Sequence, residues 1–193
     1  SRSSIAGGYI LNSFLIGVIM SVIAFAVGEI FIVASGGELL PFESILKVLG
    51  MILLTVLSAS SMMFFVVSFF NSTNAYATAS TIIGTLIGFI TGMYLPVGSM
   101  PEGVATVVKL FPISHAASIF RKIFMDVPFE QTFEGVPKEV ADTAVNTLRQ
   151  DLGVDFTIGT WDVSILDSIL ILIASAILFY ILGIIVISRK RKV

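Results

Sequence analysis

Few side chains in this sequence are able to do chemistry, and several of those stand inside apolar runs. Glu29 lies within VIAFAVGEIFIVA. A carboxylate in such a setting has two uses: it bonds a structural partner near an interface, or it meets a proton or cation in a transport path. Ser58, Ser60 and Ser61 lie within VLSASSMMFF. Their hydroxyls either bond back to their own helix and allow close packing, or line a polar path for a substrate. Asp167 is a shallower acid with a structural role. His115 is the one histidine and has no second ligand nearby in sequence, so it reads as a polar helix position and not as a metal site. There is no cysteine, which excludes disulfides, thiolate metal sites and a thiol nucleophile. GxxxxGK[ST], HExxH and GxSxG are all missing, and no two runs carry deep acids that could pair for intramembrane proteolysis. Basic residues are too few and scattered for nucleic acid. What remains is non-covalent chemistry, with no catalytic residue, no cofactor and no metal expected.

The elements that hold these residues follow from composition. Of 193 residues, 56% are hydrophobic and only 12% charged, against about a quarter charged in a soluble domain. Mean hydropathy is +1.02. The apolar surplus sits in four runs, 9–35, 45–70, 75–95 and 163–188, each long enough to cross a bilayer as a helix of about 20 residues. The expected fold is all-α and integral to the membrane: four transmembrane helices in one transmembrane domain, 1–193. Arg2 precedes the first run, and Arg189, Lys190, Arg191 and Lys192 follow the last. Short basic flanks stay in the cytoplasm, so both ends are assigned there. The 36–44 loop, with Glu38 and Glu43, is then external. The 71–74 link is cytoplasmic, and 96–162 is external.

That long external segment has two expected parts. In GFITGMYLPVGSMPEG the apolar run breaks at Pro96 and Pro101 and then resumes. A re-entrant or interfacial helical hairpin is expected over 101–125. Its second helix starts at Pro112, a residue suited to a first helical turn. Ile113, Ala116, Ala117, Phe120, Ile123 and Phe124 share one face; Ser114, Ser118, Arg121 and Lys122 take the other. On this amphipathic helix Arg121 and Lys122 are expected to meet lipid headgroups or to form a solvated face. A hydrophilic insertion, 126–161, follows, with a helix over 137–152 stopped by Gly153 and an extended DFTIGTW. Trp161 is placed at the membrane interface. In the third run Gly84, Gly88 and Gly92 form GxxxGxxxG, a register that lets a second helix approach closely.

The stretch GTLIGFITGMYLPVGSMPEGVATVVKLFPISHAASIFRKIF resembles the C-terminal half of a type-2 ABC exporter permease (ABC-2 type). The resemblance rests on a G-x-Y-x-P-x-x-x-x-P exit (Gly92, Tyr94, Pro96, Pro101) and a P-x-S-x-x-x-x-x-x-R segment (Pro112, Ser114, Arg121). It implies that the four runs are the last four of six spans, with the first two upstream of Ser1. It also implies a permease subunit that exports an amphipathic substrate: a drug, a lipid-like molecule or a peptide. Its implied partners are a second permease copy or homologue, a cytoplasmic ABC ATPase subunit that binds the ATP, and the lipid bilayer. The implied location is a plasma membrane, by analogy the bacterial cytoplasmic membrane. Glu29, Ser58 and Ser61 become candidates for a transport path. The alternative is a non-transporting membrane assembly or sensor subunit with an external domain.

Overall fold

A computed structural model describes residues 2–133 and 135–190. Seven helices account for most of it: α1 (Arg2–Ala34), α2 (Phe42–Val67), α3 (Thr73–Ile90), α4 (Glu102–Leu110), α5 (Pro112–Thr132), α6 (Lys138–Asp151) and α7 (Ile165–Lys190). A two-stranded antiparallel hairpin, β1 (Phe156–Ile158) and β2 (Trp161–Val163), is the only sheet among the described residues. The fold is therefore all-α apart from this hairpin. Arg191 and Lys192, two of the basic residues assigned to the cytoplasm, lie outside the described residues. The chain forms two compact units, one from residues 2–80 and 172–190, the other from 81–171.

Three stretches have both the length and the composition to cross a membrane: Ile10–Ala34, Phe42–Val67 and Ile165–Arg189. Large apolar side chains such as Leu15, Ile19, Ile30 and Phe31 stay exposed along α1. In water such a surface would far exceed the few hundred Å² that soluble monomers tolerate. In hydrocarbon it costs nothing, and the helix satisfies its own backbone. α2 buries Val48, Met51, Ile52, Ser58, Ser61 and Met62, one face at three- and four-residue spacing. Gly17 of α1 admits the Val56 side chain of α2. On the α7 side, Phe64 stacks near Tyr180 and fills the space over Gly183, and Phe65 packs on Phe179.

The third run differs from its expected extent. The helix covers Thr73–Ile90 and not 75–95. At about 1.5 Å per residue its 18 residues rise about 27 Å, the short end of what a span requires. The reason is a cap that hydropathy does not register. Gly92 has φ +70°; its N–H bonds Phe89 O, and Met93 N–H bonds Gly88 O, each at 3.0 Å. This is a Schellman motif with glycine in the left-handed position. α1 ends the same way at Gly36 (φ +90°), where Gly37 N–H bonds Ile32 O at 2.9 Å.

The unit 81–171 is built around the C-terminal part of α3 and the segment that follows. Phe111 is extended (ψ 128°) because Pro112 disfavours the helical region for its predecessor. Consequently α4 and the start of α5 meet at 88°. The hairpin helices expected over 101–125 are present, but α5 runs on through Pro128 to Thr132, seven residues into the supposed insertion. α6 matches the expected 137–152 helix closely, and Gly153, at φ +69°, terminates it. DFTIGTW is extended as anticipated: Phe156 faces Val163, and Ile158 faces Trp161 across the hairpin. Val97, Met100, Val108, Phe156 and Val163 make the unit's apolar core.

Candidate functional site

The polar face of α5 points inward. Ser114 and His115 are each 1% exposed and Ser118 3%, and Arg121 and Lys122, expected at headgroups or on a solvated face, are half-buried and bonded within the chain. The acceptors that reverse it are backbone carbonyls left over at helix ends, which have no intrahelical donor. Ser114 Oγ donates to Ile90 O at 2.8 Å, and Arg121 Nη2 to Thr91 O at 2.7 Å, both at the end of α3. Ser118 Oγ donates to Val154 O at 2.6 Å, and Arg121 Nη1 makes a long 3.5 Å contact with Gly153 O, just past α6. Ser114, Ser118 and Arg121 follow one another by four and three residues, so one stripe of α5 serves both ends. His115 Nδ1 lies 3.1 Å from Ser168 Oγ, and its ring meets Phe156 edge-on at 5.6 Å.

The three prolines of the segment after α3 act as punctuation. Pro96 and Pro101 each precede a helical turn with ψ near 140°, and Pro112 is the first residue of α5. The three glycines do not share one role. Gly84 is exposed with open space around it, Gly88 is covered by the Tyr94 ring, and Gly92 forms the cap beyond the helix. The helical packing register thus contains two glycines, because the third lies outside α3.

A cluster that sequence spacing did not suggest ties α5, α6 and the segment after Gly153 together. Lys122 Nζ pairs with Asp155 Oδ1 at 2.8 Å; Arg149 bonds Asp155 Oδ2 at 2.7 Å and Asp126 Oδ1 at 2.8 Å. Burial alone would raise the Asp155 carboxyl, but its hydrogen bonds to Arg149 and Lys122 and their charges outweigh this and hold it below the usual carboxylate range. Burial likewise opposes the Arg149 charge, and Asp155 and Asp126 restore and raise its basicity. The members lie on α5, on α6 and just past Gly153, so no local spacing reveals them.

In the other unit, Ser58 Oγ and Ser175 Oγ are 2.8 Å apart and buried, and the Ser175 hydroxyl also reaches Leu172 O. Ser61 is buried one turn on. Glu29 is 6% exposed. Its Oε2 accepts the Leu40 N–H at 3.1 Å, which fastens the α1–α2 loop, while Oε1 is buried without a hydrogen-bond partner. The structure therefore brings Ser58 to a helix contact and Glu29 to a loop anchor. Asp167 completes a capping box: Ser164 N–H donates to its carboxylate at 2.9 Å, and Asp167 N–H donates to Ser164 Oγ at 3.1 Å. Among the described residues no group of three or more His, Cys, Asp and Glu side chains is placed to hold a metal ion.

Long apolar helices, a charge-poor interior and a folded polar segment at one end of α3 define a multi-pass, all-α integral membrane protein. The family model of ABC-2 family transporter proteins matches residues 1–185, and the chain belongs to that family. It is accordingly a permease component of an ABC transporter, a membrane transport part that is not itself catalytic, and the family implies partnership with an ATPase subunit. No curated protein and no solved structure matches it.

Proposed function

We propose that this permease exports an amphipathic molecule — a drug, a lipid-like compound or a peptide — from the cytoplasmic side of a bacterial plasma membrane. It works with a second permease copy or homologue and with cytoplasmic ATPase subunits that bind and hydrolyse ATP. Basic residues at both ends, including Arg189 and Lys190, support a cytoplasmic C-terminus by the positive-inside rule. The 96–162 segment then lies outside, with the bent α4–α5 pair at the outer surface as a lid over the exit. The observation that carries the reading is the pairing, in a member of this family, of spans almost without ionisable groups with a folded polar segment on the outer end of α3. Such spans suit a greasy cargo. Ser58 and Ser61 supply hydroxyls to a path, and Glu29 supplies the buried oxygen that no protein donor uses.

The test is reconstitution of the full-length chain with its cognate ATPase in lipid vesicles and a screen for compounds that stimulate ATP turnover. Stimulation by amphipathic compounds, with their movement across the vesicle wall, is expected. Labelling of intact cells that places Asp142 in the cytosol would invert the topology and defeat the reading. Glu29→Gln keeps an acceptor for Leu40 N–H, so membrane abundance is expected to hold while export falls. Unchanged export removes Glu29 from the path.

A further inference from the structure

The end of α3 and the end of α6 are far apart in sequence, yet one side chain holds both. Arg121 Nη2 bonds Thr91 O at 2.7 Å, one residue past α3, and its Nη1 reaches toward Gly153 O, two residues past α6. Each is the C-terminal end of a helix, where aligned peptide dipoles leave partial negative charge that favours a cation. Among the described residues no carboxylate forms an ion pair with Arg121, so its charge is met by backbone. The backbone at Gly92 approaches so closely that a Cβ there would lie 3.3 Å from Nη2. Ser114 and Ser118, about two turns and one turn earlier on α5, repeat the pattern by bonding Ile90 O and Val154 O. A guanidinium suits this position because its planar fork serves two acceptors on different elements, whereas an ammonium is a point charge.

We propose that Arg121 is a positioning residue of the transport cycle: it clasps the outer end of α3 to the end of α6, so that α3 and the external segment move as one body. This rests on the reading of the chain as a transport permease. In that reading α3 runs from the cytoplasmic link to the outer surface, and the clasp converts its displacement into displacement of the lid. Neither Arg121 nor its carbonyl partners need touch the cargo.

The experiment uses the full-length permease with its ATPase in lipid nanodiscs and vesicles. The described chain contains no native cysteine, so Leu86→Cys on α3 and Asn146→Cys on α6 accept spin labels cleanly. In the wild-type background the label–label distance is expected to be the same in nucleotide-free and ATP-trapped states. With Arg121→Gln the distance distribution broadens and transport falls about tenfold at unchanged membrane abundance; Arg121→Lys, which reaches one carbonyl, lies between. Three results overturn the clasp: a wild-type distance that changes between states, a transport loss with an unchanged distance distribution in Arg121→Gln, or no loss at all. If Arg121→Gln fails to accumulate, the wild-type distances and Arg121→Lys still decide. If the wild-type complex moves no cargo, the functional reading fails instead, and the Arg121→Gln distances still score the clasp.

Discussion

Gly92→Ala is expected to damage this protein, whereas Gly84→Ala is not, although the two glycines stand two turns apart in one sequence register. Gly92 holds φ +70°, a region that costs an L-residue roughly 1–2 kcal/mol. A Cβ built there falls 2.8 Å from Val97 Cγ2 and 3.3 Å from Arg121 Nη2. Val97 belongs to the apolar core and Arg121 is already committed to Thr91 O, so neither yields cheaply. Overpacking of this kind adds about 1–3 kcal/mol. The sum, about 2–5 kcal/mol, lowers the folded-to-unfolded ratio of the 81–171 unit about 30- to 5,000-fold. At Gly84 nothing lies within 4 Å and the residue is inside α3; exchanging glycine for alanine in a helix stabilises by about 0.5–1 kcal/mol. The assay is thermal or denaturant unfolding in detergent micelles, followed by fluorescence of Trp161, the one tryptophan, which lies in β2. Equal losses at Gly84 and Gly92 would restore the single-stripe view. An unshifted midpoint for Gly92→Ala would refute the cap.

Three further outcomes follow from other contacts. Asp155 has a folded-state pKa below its unfolded value of about 3.9. Its contribution is therefore fully present above about pH 4 and is lost as pH falls through the lowered folded value; Trp161 fluorescence should give a midpoint that drops in acid, and Asp155→Asn should flatten that drop. Ser58→Ala removes one hydroxyl but leaves Ser175 its bond to Leu172 O, so a cost of only about 0.5–1.5 kcal/mol is expected in a detergent unfolding titration. Gly98→Ala sets a Cβ 2.7 Å from the Asp151 Cα, a backbone atom that cannot turn aside; loss of about 1–3 kcal/mol and faster amide exchange at the end of α6 are expected.

What could be read from sequence divides along physical lines. α1, α2 and α7 were legible because some 25 apolar residues in a row have few structures open to them. α6 was legible because Pro137 and Gly153 bracket it, and the start of α5 because Pro112 forces the preceding residue out of the helical region. The end of α3 was not, since hydropathy continues smoothly through ITGMYL while the backbone has already turned at Gly92. The direction of the α5 polar face was misread for a related reason. Amphipathic patterning assumes that polar side chains seek water, but Ser114, Ser118 and Arg121 find acceptors in the carbonyls that α3 and the segment after α6 leave over. Those acceptors are set by where other helices stop. The candidate path residues were legible only as types: spacing put Glu29 in an apolar run, but the Leu40 N–H that claims one of its oxygens belongs to a loop eleven residues on.

The early stop of α3 has a bearing on the surrounding lipid. A stretch of 25 or 26 residues rises about 38 Å, more than the roughly 30 Å of hydrocarbon, and absorbs the excess by leaning. α3, at about 27 Å, has no excess to absorb and no means of adding a turn, because its left-handed glycine fixes where it ends. If α3 crosses the bilayer, as the proposed topology has it, the acyl layer beside it shortens by a few ångströms, at a cost of fractions of a kcal/mol per ångström. One flank of such a permease would then face a thinner, more easily deformed leaflet than the others.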